Sequence, residues 1–363
     1  MKNKLQIRLI LCVCAFISVF TALLIVASFF DLEISRFLTA GSLPDGEYYS
    51  TNGFALFVEI LGFSAFYFSG AIASIICVNA ALKMSDGDRF FFIKELRGWA
   101  HKIIQGVIIV GFSAFAVYET YCVVHEAFKY PEKYLQDALQ GTNAAFTLNS
   151  GYLIAVQVVF AAVLAGLILA LLARVKKETA ITLLKIAVIL FAVELMYLAV
   201  VDAVKTPIGR MRFRTMNALG DFSYYTPWYV INGPRNATTL GIIIPSGGTP
   251  SSEILIGAAS DTCKSFPSGH TYGAAMSFAL VCLPDLFERF KKTYVKAICW
   301  IAPAVYTFTV AICRIVVGAH FLSDVLVGGT LAFALVMILR EVVILKGAHF
   351  RAFKKAAEDT PQE

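Results

Sequence analysis

The sequence predicts an all-α integral membrane protein, a polytopic bundle of about eight transmembrane helices with both termini in the cytoplasm. Its 363 residues are 58% hydrophobic and 15% charged, whereas about a quarter of the residues in soluble domains are charged. The mean hydropathy is +0.72. Apolar windows of roughly the 20 residues that a helix needs to cross a bilayer recur along the chain, and lysine and arginine concentrate in alternate connections.

The first four windows lie at 9–30, 57–82, 103–124 and 152–173. They carry few polar residues and are predicted to act as scaffold, although Glu119 lies near the end of the third. The first window follows a short basic segment, as in a signal peptide. Its uncharged stretch of 22 residues is longer than an ordinary signal, and "VASFFDLE" is a poor cleavage site. We therefore expect this window to be retained as an anchor.

The other four windows lie at 181–204, 266–283, 297–313 and 321–340, and the seventh is short, at about 17 residues. Three regions are predicted: N-terminal helices over 1–178, a second membrane region over 179–346, and a basic-then-acidic cytoplasmic tail over 347–363. The second region contains a long outer loop over 213–263. Loops of this length are commonly functional or partly disordered.

Positive charge sets the predicted orientation. The N-terminus, every second connection and the C-terminal tail hold 20 of the 31 lysines and arginines, which places these segments in the cytoplasm. The same asymmetry accounts for most of the net charge of +6, so no nucleic-acid partner is predicted. The eight cysteines lack zinc-ligand spacing. We expect neither a metal nor another cofactor.

The first of three polar clusters is "DAVKTPIGRMRFR", at the end of the fifth window. Lys205, Arg210, Arg212 and Arg214 lie within ten residues on the predicted outer side, which is ordinarily poor in positive charge. One interpretation is that long basic side chains anchor a helix end at the membrane interface. A set of fixed cations is also what the binding of a phosphate requires.

The second cluster, "FPSGH", opens the sixth window. Ser268 and Gly269 stand at a predicted helix N-terminus, where unpaired N–H groups and the helix dipole favour an anion. Gly269 lets the backbone approach closely, and Ser268 can cap the helix or donate to a phosphate oxygen. His270 projects from the first turn. The structural alternative is a helix cap with an interfacial histidine.

The third cluster, "CRIVVGAHFLSDV", contains Arg314, His320 and Asp324. Asp324 follows His320 by four residues, so the two side chains are neighbours if both lie on one helix. The carboxylate can then accept the proton of one imidazole nitrogen and leave the other nitrogen free to attack. A structural His–Asp pair is the alternative. An aspartate inside a span is costly unless it is partnered, which favours a functional role.

Counting the windows places all three clusters on one side of the membrane. Together they offer two histidines, one aspartate, several fixed cations and a helix N-terminus. This set suits a phosphate group, because arginine forks bind its oxygens bidentately and lysine adds a point charge. The carboxylates near the histidines are too few to predict a metal site.

In this order, Lys-x6-Arg, Pro-Ser-Gly-His and Arg-x5-His-x3-Asp resemble the three signature motifs of the type 2 phosphatidic acid phosphatase superfamily. The motif region runs from Lys205 to Asp324. Phe213 stands where the family usually has proline, and Cys313 where it usually has serine. The resemblance implies a six-helix phosphatase core, with one extra hairpin among the first four spans.

The resemblance also implies a role for each matching residue. His320 would attack phosphorus and form a phosphohistidine, Asp324 would orient its ring, and His270 would protonate the leaving oxygen. The phosphoryl oxygens would be held by Lys205, Arg212, Ser268, Gly269 and Arg314. The chain would then be a metal-independent phosphatase of lipid phosphate monoesters or diphosphates, such as phosphatidate, phosphatidylglycerol phosphate or a polyprenyl diphosphate.

The predicted depth of these residues, at the outer ends of spans, suggests a lipid substrate that enters from the headgroup layer. We expect a multi-pass protein of the plasma membrane, with its active site on the extracytoplasmic face and membrane lipids as its other partners. A phosphatase of a soluble sugar phosphate is the first alternative. Glu194, eleven residues before Lys205 and deeper in the same span, motivates another: a transporter that binds a phosphorylated ligand without hydrolysing it.

Overall fold

The computed structural model describes residues 2–88, 97–138, 151–241 and 261–348, and every regular element in these ranges is helical. The all-α fold class is therefore confirmed. Four long helices come first: α1 (Lys2–Thr39), α2 (Gly53–Lys83), α3 (Gly98–Ala138) and α4 (Gly151–Ala173). The middle of the predicted outer loop, 242–260, and nearly all of the tail, 349–363, lie outside the described residues.

The second half of the chain contains shorter elements around two further long helices. Helix α5 (Lys177–Met196) continues through a π-helical turn (Tyr197–Val201) into α6 (Asp202–Ile208), and α7 (Phe213–Leu219) follows. Next come α8 (Gly269–Ala275), a 3-10 segment (Met276–Cys282) and α9 (Leu283–Leu286). The last long helices are α10 (Thr293–Val316) and α11 (Leu322–Leu339), and α11 ends in a second π-helical turn (Arg340–Ile344).

Seven helical stretches of the described part are long and apolar enough to cross a membrane. They are Ile10–Thr39, Gly53–Lys83, Gly98–Ala127, Ile154–Ala173, Lys177–Leu219, Thr293–Val316 and Leu322–Ile344. These correspond to seven of the eight predicted windows, and they make the chain a multi-pass membrane protein. The total number of spans and the cytoplasmic placement of both termini stay predictions.

The sixth window differs from the expected single span, because it forms a broken helix. In α8 and the 3-10 segment, the hydroxyl of Ser277 donates to the carbonyl of Ala274 at 2.6 Å, which competes with regular α-helical bonding. Pro284 then lacks an N–H group to continue the helical ladder. The stretch therefore consists of three short helical pieces, none of which is long enough by itself to count as a span.

The broken helix nevertheless runs the length of the bundle beside α11. At its start, the backbone N–H of Ser268 donates to the carbonyl of Asp324 in the first turn of α11, at 3.0 Å. At its far end, the carboxylate of Asp285 pairs with Arg340 at the end of α11, at 2.6 Å. The two ends of the broken helix therefore lie at opposite ends of the bundle.

Helix α2 occupies the centre of the bundle, where it packs against α3, α5, α8 and α10. Small residues permit this close packing, as is common between membrane helices. A Cβ atom at Gly273 of α8 would lie 3.1 Å from the carbonyl oxygen of Gly62 and 3.0 Å from the Cβ of Phe66 in α2. The second predicted span is thus part of the core on which the C-terminal half is assembled.

Candidate active site

The three polar clusters meet at one end of the bundle, where backbone hydrogen bonds join them. The N–H of Arg214, in the first cluster, donates to the carbonyl of Gly318 at 2.8 Å, just before His320. The N–H of Ser268, in the second cluster, donates to the carbonyl of Asp324 at 3.0 Å. The structure therefore brings together segments separated by up to 120 positions in the sequence.

His320 is buried, with 1% of its surface exposed, and it is held as a neutral imidazole. Its Nδ1 lies 2.6 Å from the carbonyl oxygen of Ser265; since a carbonyl only accepts, the proton is on Nδ1. Its Nε2 lies 3.4 Å from Nη1 of Arg212. Burial, helped by the charges of Arg212 and Arg314, lowers the pKa of His320 to about 3 against the opposing effect of Asp324. The lone pair on Nε2 is therefore available.

Asp324 is placed differently from the expected direct contact with the imidazole. Its Oδ2 lies 3.6 Å from Nδ1 of His320, beyond a normal hydrogen bond. The carboxylate accepts instead from Nη1 of Arg210 at 2.6 Å, from the hydroxyl of Ser265 at 2.5 Å and from the N–H of Phe321 at 2.8 Å. Asp324 is held by Phe321 and Arg210, and it caps α11. In this position it fixes Ser265, whose carbonyl orients His320.

His270 lies in the first turn of α8, next to His320. The centroids of the two imidazole rings are 6.5 Å apart, and the His270 ring also contacts Phe63 at 4.9 Å. Its buried Nε2 has no hydrogen-bond partner among the described residues. A half-buried imidazole with an unused nitrogen at this distance is suited to exchanging a proton with a group bound between the two rings.

Arg212 points its guanidinium at His320 and is paired with a carboxylate. Its Nη1 donates to the carbonyl of Ala319 at 2.9 Å, and its Nη2 donates to Oδ1 of Asp261 at 2.7 Å. Its Nε donates to the backbone carbonyl of Asp261, also at 2.9 Å. These bonds fix the plane of the guanidinium on both sides, which preorganises it beside Nε2 of His320.

Asp261 lies at the centre of the cationic cluster, at the rim of the site. Burial alone would raise the pKa of Asp261, but the charges of Arg212, Arg214 and Lys205 outweigh that effect and hold the pKa below its usual range. Its side chain is 38% exposed. An ionised carboxylate therefore pairs with Arg212, which the resemblance assigns to phosphate binding, and with Arg214.

Arg314 and Lys205 also lie at this end of the bundle. Arg314 is buried and forms an ion pair with Glu59 of α2. The Nζ of Lys205 lies 5.8 Å from the ring centroid of Tyr197, in the π-helical turn that follows α5. All three cations predicted to bind phosphate thus approach the two histidines, although Glu59 was not expected there.

Ser268 and Gly269 form the predicted helix start. The hydroxyl of Ser268 accepts a weak hydrogen bond from the N–H of Thr271 at 3.4 Å and caps α8. A Cβ atom at Gly269 would lie 2.5 Å from the hydroxyl oxygen of Tyr197, so this position accepts no side chain without a shift. The cap is as expected, whereas phosphate binding by these two residues stays a prediction.

Several carboxylates at the site were missed by the sequence interpretation, which named Arg210 only as one of the cations of the first cluster. Arg210 is buried between the carboxylates of Asp324 and Asp31, at 2.6 and 3.0 Å. Asp31 comes from α1 and Glu59 from α2, both in the region expected to be scaffold. A charged residue inside an apolar window is costly unless it is partnered; that rule would have found Glu59, which lies in the second window, but Asp31 lies one position beyond the first window, 9–30.

A protein-family model matches a part of the chain that contains much of this site. Residues 227–346 match the PAP2 superfamily. The resemblance predicted from the three motifs is thereby confirmed. The PAP2 segment contains His270, His320 and Asp324 but begins after Lys205 and Arg212 and does not include α1 or α2. PAP2 proteins are generally phosphatases that act on phosphate esters. The chain matches no curated protein and no solved structure.

Proposed function

We propose that this protein is a membrane-embedded, metal-independent phosphatase that hydrolyses lipid phosphate monoesters or diphosphates through a phosphohistidine. The observation that carries the proposal is the state of His320. Its proton is held on Nδ1 by a backbone carbonyl, so Nε2 carries the lone pair and accepts only a weak hydrogen bond, from Nη1 of Arg212 at 3.4 Å. A neutral, oriented imidazole of this kind is a nucleophile.

The reaction has two steps. In the first, Nε2 of His320 attacks phosphorus, a P–N bond forms and the P–O bond to the leaving group breaks. His270, protonated when the negatively charged phosphate binds beside it, gives its proton to the leaving oxygen. In the second, neutral His270 takes a proton from a water molecule that attacks phosphorus, the P–N bond breaks and inorganic phosphate is released. His270 is then protonated and ready for the next cycle.

Fixed cations stabilise the charge that moves through the phosphoryl group. Lys205, Arg212 and Arg314 approach the same space, and the two arginines are held there by the carboxylates of Asp261 and Glu59. Preorganised donors of this kind are each worth about 3 kcal/mol of barrier in other enzymes. The carbonyl of Ser265, with Asp324 behind it, stabilises the positive charge that His320 acquires.

The position of the site supports a lipid substrate. His320 lies between the ends of two helices that are apolar enough to cross a membrane, and His270 lies beside it, where a headgroup phosphate can reach both while its chains stay in the bilayer. Phosphatidate, phosphatidylglycerol phosphate and polyprenyl diphosphates have this form. We place the site on the extracytoplasmic face of the plasma membrane because positive charge concentrates in the connections at the other end.

A second candidate is a transporter that binds a phosphorylated ligand without cleaving it. One observation favours it: the carboxylates of Glu119 and Glu194 meet deep in the bundle. A Cβ atom at Gly70 would lie 2.8 Å from both carboxylate oxygens of Glu194 and 3.0 Å from Oε2 of Glu119. Ionisable residues inside a span often mark a proton or ion path. The pair of histidines favours the phosphatase, because a transporter needs no nucleophile.

Phosphate release in detergent with excess EDTA tests the proposal. The substrates are phosphatidate, phosphatidylglycerol phosphate, a polyprenyl diphosphate and a soluble sugar phosphate. Wild type is compared with His320→Ala and with His125→Ala, a control histidine in α3 that bonds Gln157 away from the site. We expect release of lipid phosphate by wild type and by the control variant, and none by His320→Ala.

The other outcomes discriminate between the alternatives. Equal release by His320→Ala would remove this residue as the nucleophile. A preference for the sugar phosphate would favour the soluble-substrate phosphatase. If no protein releases phosphate from any substrate, the phosphatase proposal fails and the transporter becomes the leading candidate.

A further inference from the structure

The N-terminal helix α1 contributes a fully buried carboxylate to the site. The side chain of Asp31 has no exposed surface, and α1 lies outside the segment that matches the PAP2 superfamily. A buried carboxylate is costly unless it is fully paired. Its partners therefore indicate what it does.

Asp31, Arg210 and Ser323 form one closed network. The Oδ2 of Asp31 accepts from Nη2 of Arg210 at 3.0 Å, and its Oδ1 accepts from the N–H of Ser323 at 3.0 Å. The hydroxyl of Ser323 accepts from Nη1 of Arg210 at 2.7 Å and donates to Oδ2 of Asp31. Asp31 thus fixes both the guanidinium and the first turn of α11.

The network continues from Arg210 to the nucleophile. Nη1 of Arg210 also donates to Asp324 at 2.6 Å, and Asp324 accepts from the hydroxyl of Ser265 at 2.5 Å. The carbonyl of the same serine lies 2.6 Å from Nδ1 of His320. Each link is a hydrogen bond of 3.0 Å or less between buried groups. A change at Asp31 therefore alters the position of the imidazole.

We propose that Asp31 is a positioning residue for the reaction. This inference rests on the proposed function, and it assigns to α1 a part in catalysis. Asp31 holds Arg210 and, through Arg210, keeps Asp324 and Ser265 in the arrangement that orients His320. It also sets the charge of the network. The carboxylates of Asp31 and Asp324 flank the guanidinium of Arg210 and offset its positive charge, near a histidine that becomes positive when Nε2 bonds phosphorus. In a buried site, such an offset lowers the barrier.

The variant Asp31→Asn keeps the shape of the side chain and removes its charge. We expect kcat to fall about 10-fold or more, while KM and inhibition by inorganic phosphate change less than about 2-fold, because the phosphate-binding cations are untouched. The control is Glu33→Gln, the same change at an exposed position of α1, which should behave as wild type. Asp31→Glu, which restores the charge, should recover part of kcat.

Two results would overturn the proposal. One is a wild-type kcat in a folded Asp31→Asn protein. The other is a loss of kcat that is accompanied by equal losses of phosphate inhibition and of thermal stability, which would mean that Asp31 only anchors α1. If Asp31→Asn does not fold, the milder Ser323→Ala replaces it: a several-fold loss of kcat at constant KM is expected, and an unchanged kcat contradicts the proposal.

Failure of this proposal and failure of the proposed function give different results. If wild type and Glu33→Gln both release phosphate and Asp31→Asn equals them, only the role of Asp31 is wrong. If wild type and Glu33→Gln release none, the phosphatase function itself is wrong, and the role of Asp31 falls with it.

Discussion

The Ser265 carbonyl oxygen, 2.6 Å from Nδ1 of His320, can only accept a hydrogen bond, so it selects the tautomer that carries its proton on that nitrogen. The carboxylate of Asp324, 3.6 Å from the same nitrogen, then acts mainly through its charge. Two tasks that a single carboxylate often performs are divided here. The carbonyl sets the orientation of the ring, and the carboxylate stabilises its positive form.

The pH dependence of His320 follows from its burial. Its pKa is lowered from 6.5 to about 3, so the nucleophile stays neutral at every pH above about 4. Below pH 6.5, the unfolded chain binds a proton on this histidine and the folded chain does not. The contribution of His320 therefore lowers the free energy of unfolding as pH falls below about 6.5. In carbon-13-labelled histidine spectra, the His320 signal, identified by its loss in His320→Asn, should not titrate between pH 5 and 8. A midpoint within that range would contradict the assignment.

We predict that the carboxylate of Asp261, which pairs with Arg212, competes with phosphate for that arginine. Asp261→Asn keeps an oxygen that can accept from Arg212 but removes the negative charge. Because the side chain is 38% exposed, the repulsion removed is about 1 kcal/mol, or about 5-fold. We therefore expect the inhibition constant of inorganic phosphate to fall about 5-fold. The control is Asp221→Asn, at an exposed position of the same loop. Weaker phosphate inhibition in Asp261→Asn would show that the carboxylate supports the site instead of competing in it.

At the scale of helices, the start of α8 is held against α11 by a glycine. A Cβ atom at Gly328 would lie 2.3 Å from the carbonyl oxygen of Ser268 and 3.1 Å from its carbonyl carbon. Both contacts are with backbone, which cannot swing away as a flexible side chain can. The position of His270 relative to His320 therefore depends on the absence of a side chain at Gly328.

Gly328→Ala should separate α8 from α11. We expect a loss of about 1–3 kcal/mol in the free energy of unfolding, the usual cost of overpacking, and at least about a 10-fold loss of kcat as the two imidazoles move apart. Thermal unfolding and phosphate release measure the two effects. Gly111→Ala in α3, where a Cβ atom meets nothing within 4 Å, is the matched control. If both variants behave alike, the close contact has no role in placing His270.

Most of the long helices could be predicted from the sequence, because seven of the eight predicted windows are long apolar helices in the structure. The prediction was wrong for the sixth window. Its apolar composition predicted a single span, whereas the structure has a broken helix there. Composition reports how well a segment is solvated by lipid. It does not report the local bonding of the segment, where the hydroxyl of Ser277 donates to the carbonyl of Ala274 and the backbone is 3-10 helical over Met276–Cys282.

At the scale of the whole molecule, the motifs predicted which residues meet but not which acids hold them. Arg210 and Asp31 are 179 positions apart, and Arg314 and Glu59, which also pair, are 255 positions apart. Hydropathy identifies a charged residue within a span and the cost of leaving it alone, yet its partner depends on how the helices pack. The N-terminal helices thus complete the charge balance of a site whose motifs all lie in the other half.

The two ends of the bundle predict on which side of the membrane the site lies. Lys264 is exposed next to Ser265 of the site, whereas Lys291 is exposed at the far end, just after α9. The far end carries the basic connections expected in the cytoplasm. With the exposed Cys12 and Cys14 replaced by serine, Lys264→Cys should react in intact cells with a membrane-impermeant maleimide. Lys291→Cys should react only after the cells are permeabilised. The reverse pattern would place the site on the cytoplasmic face, and substrate would then have to reach it from the inner leaflet.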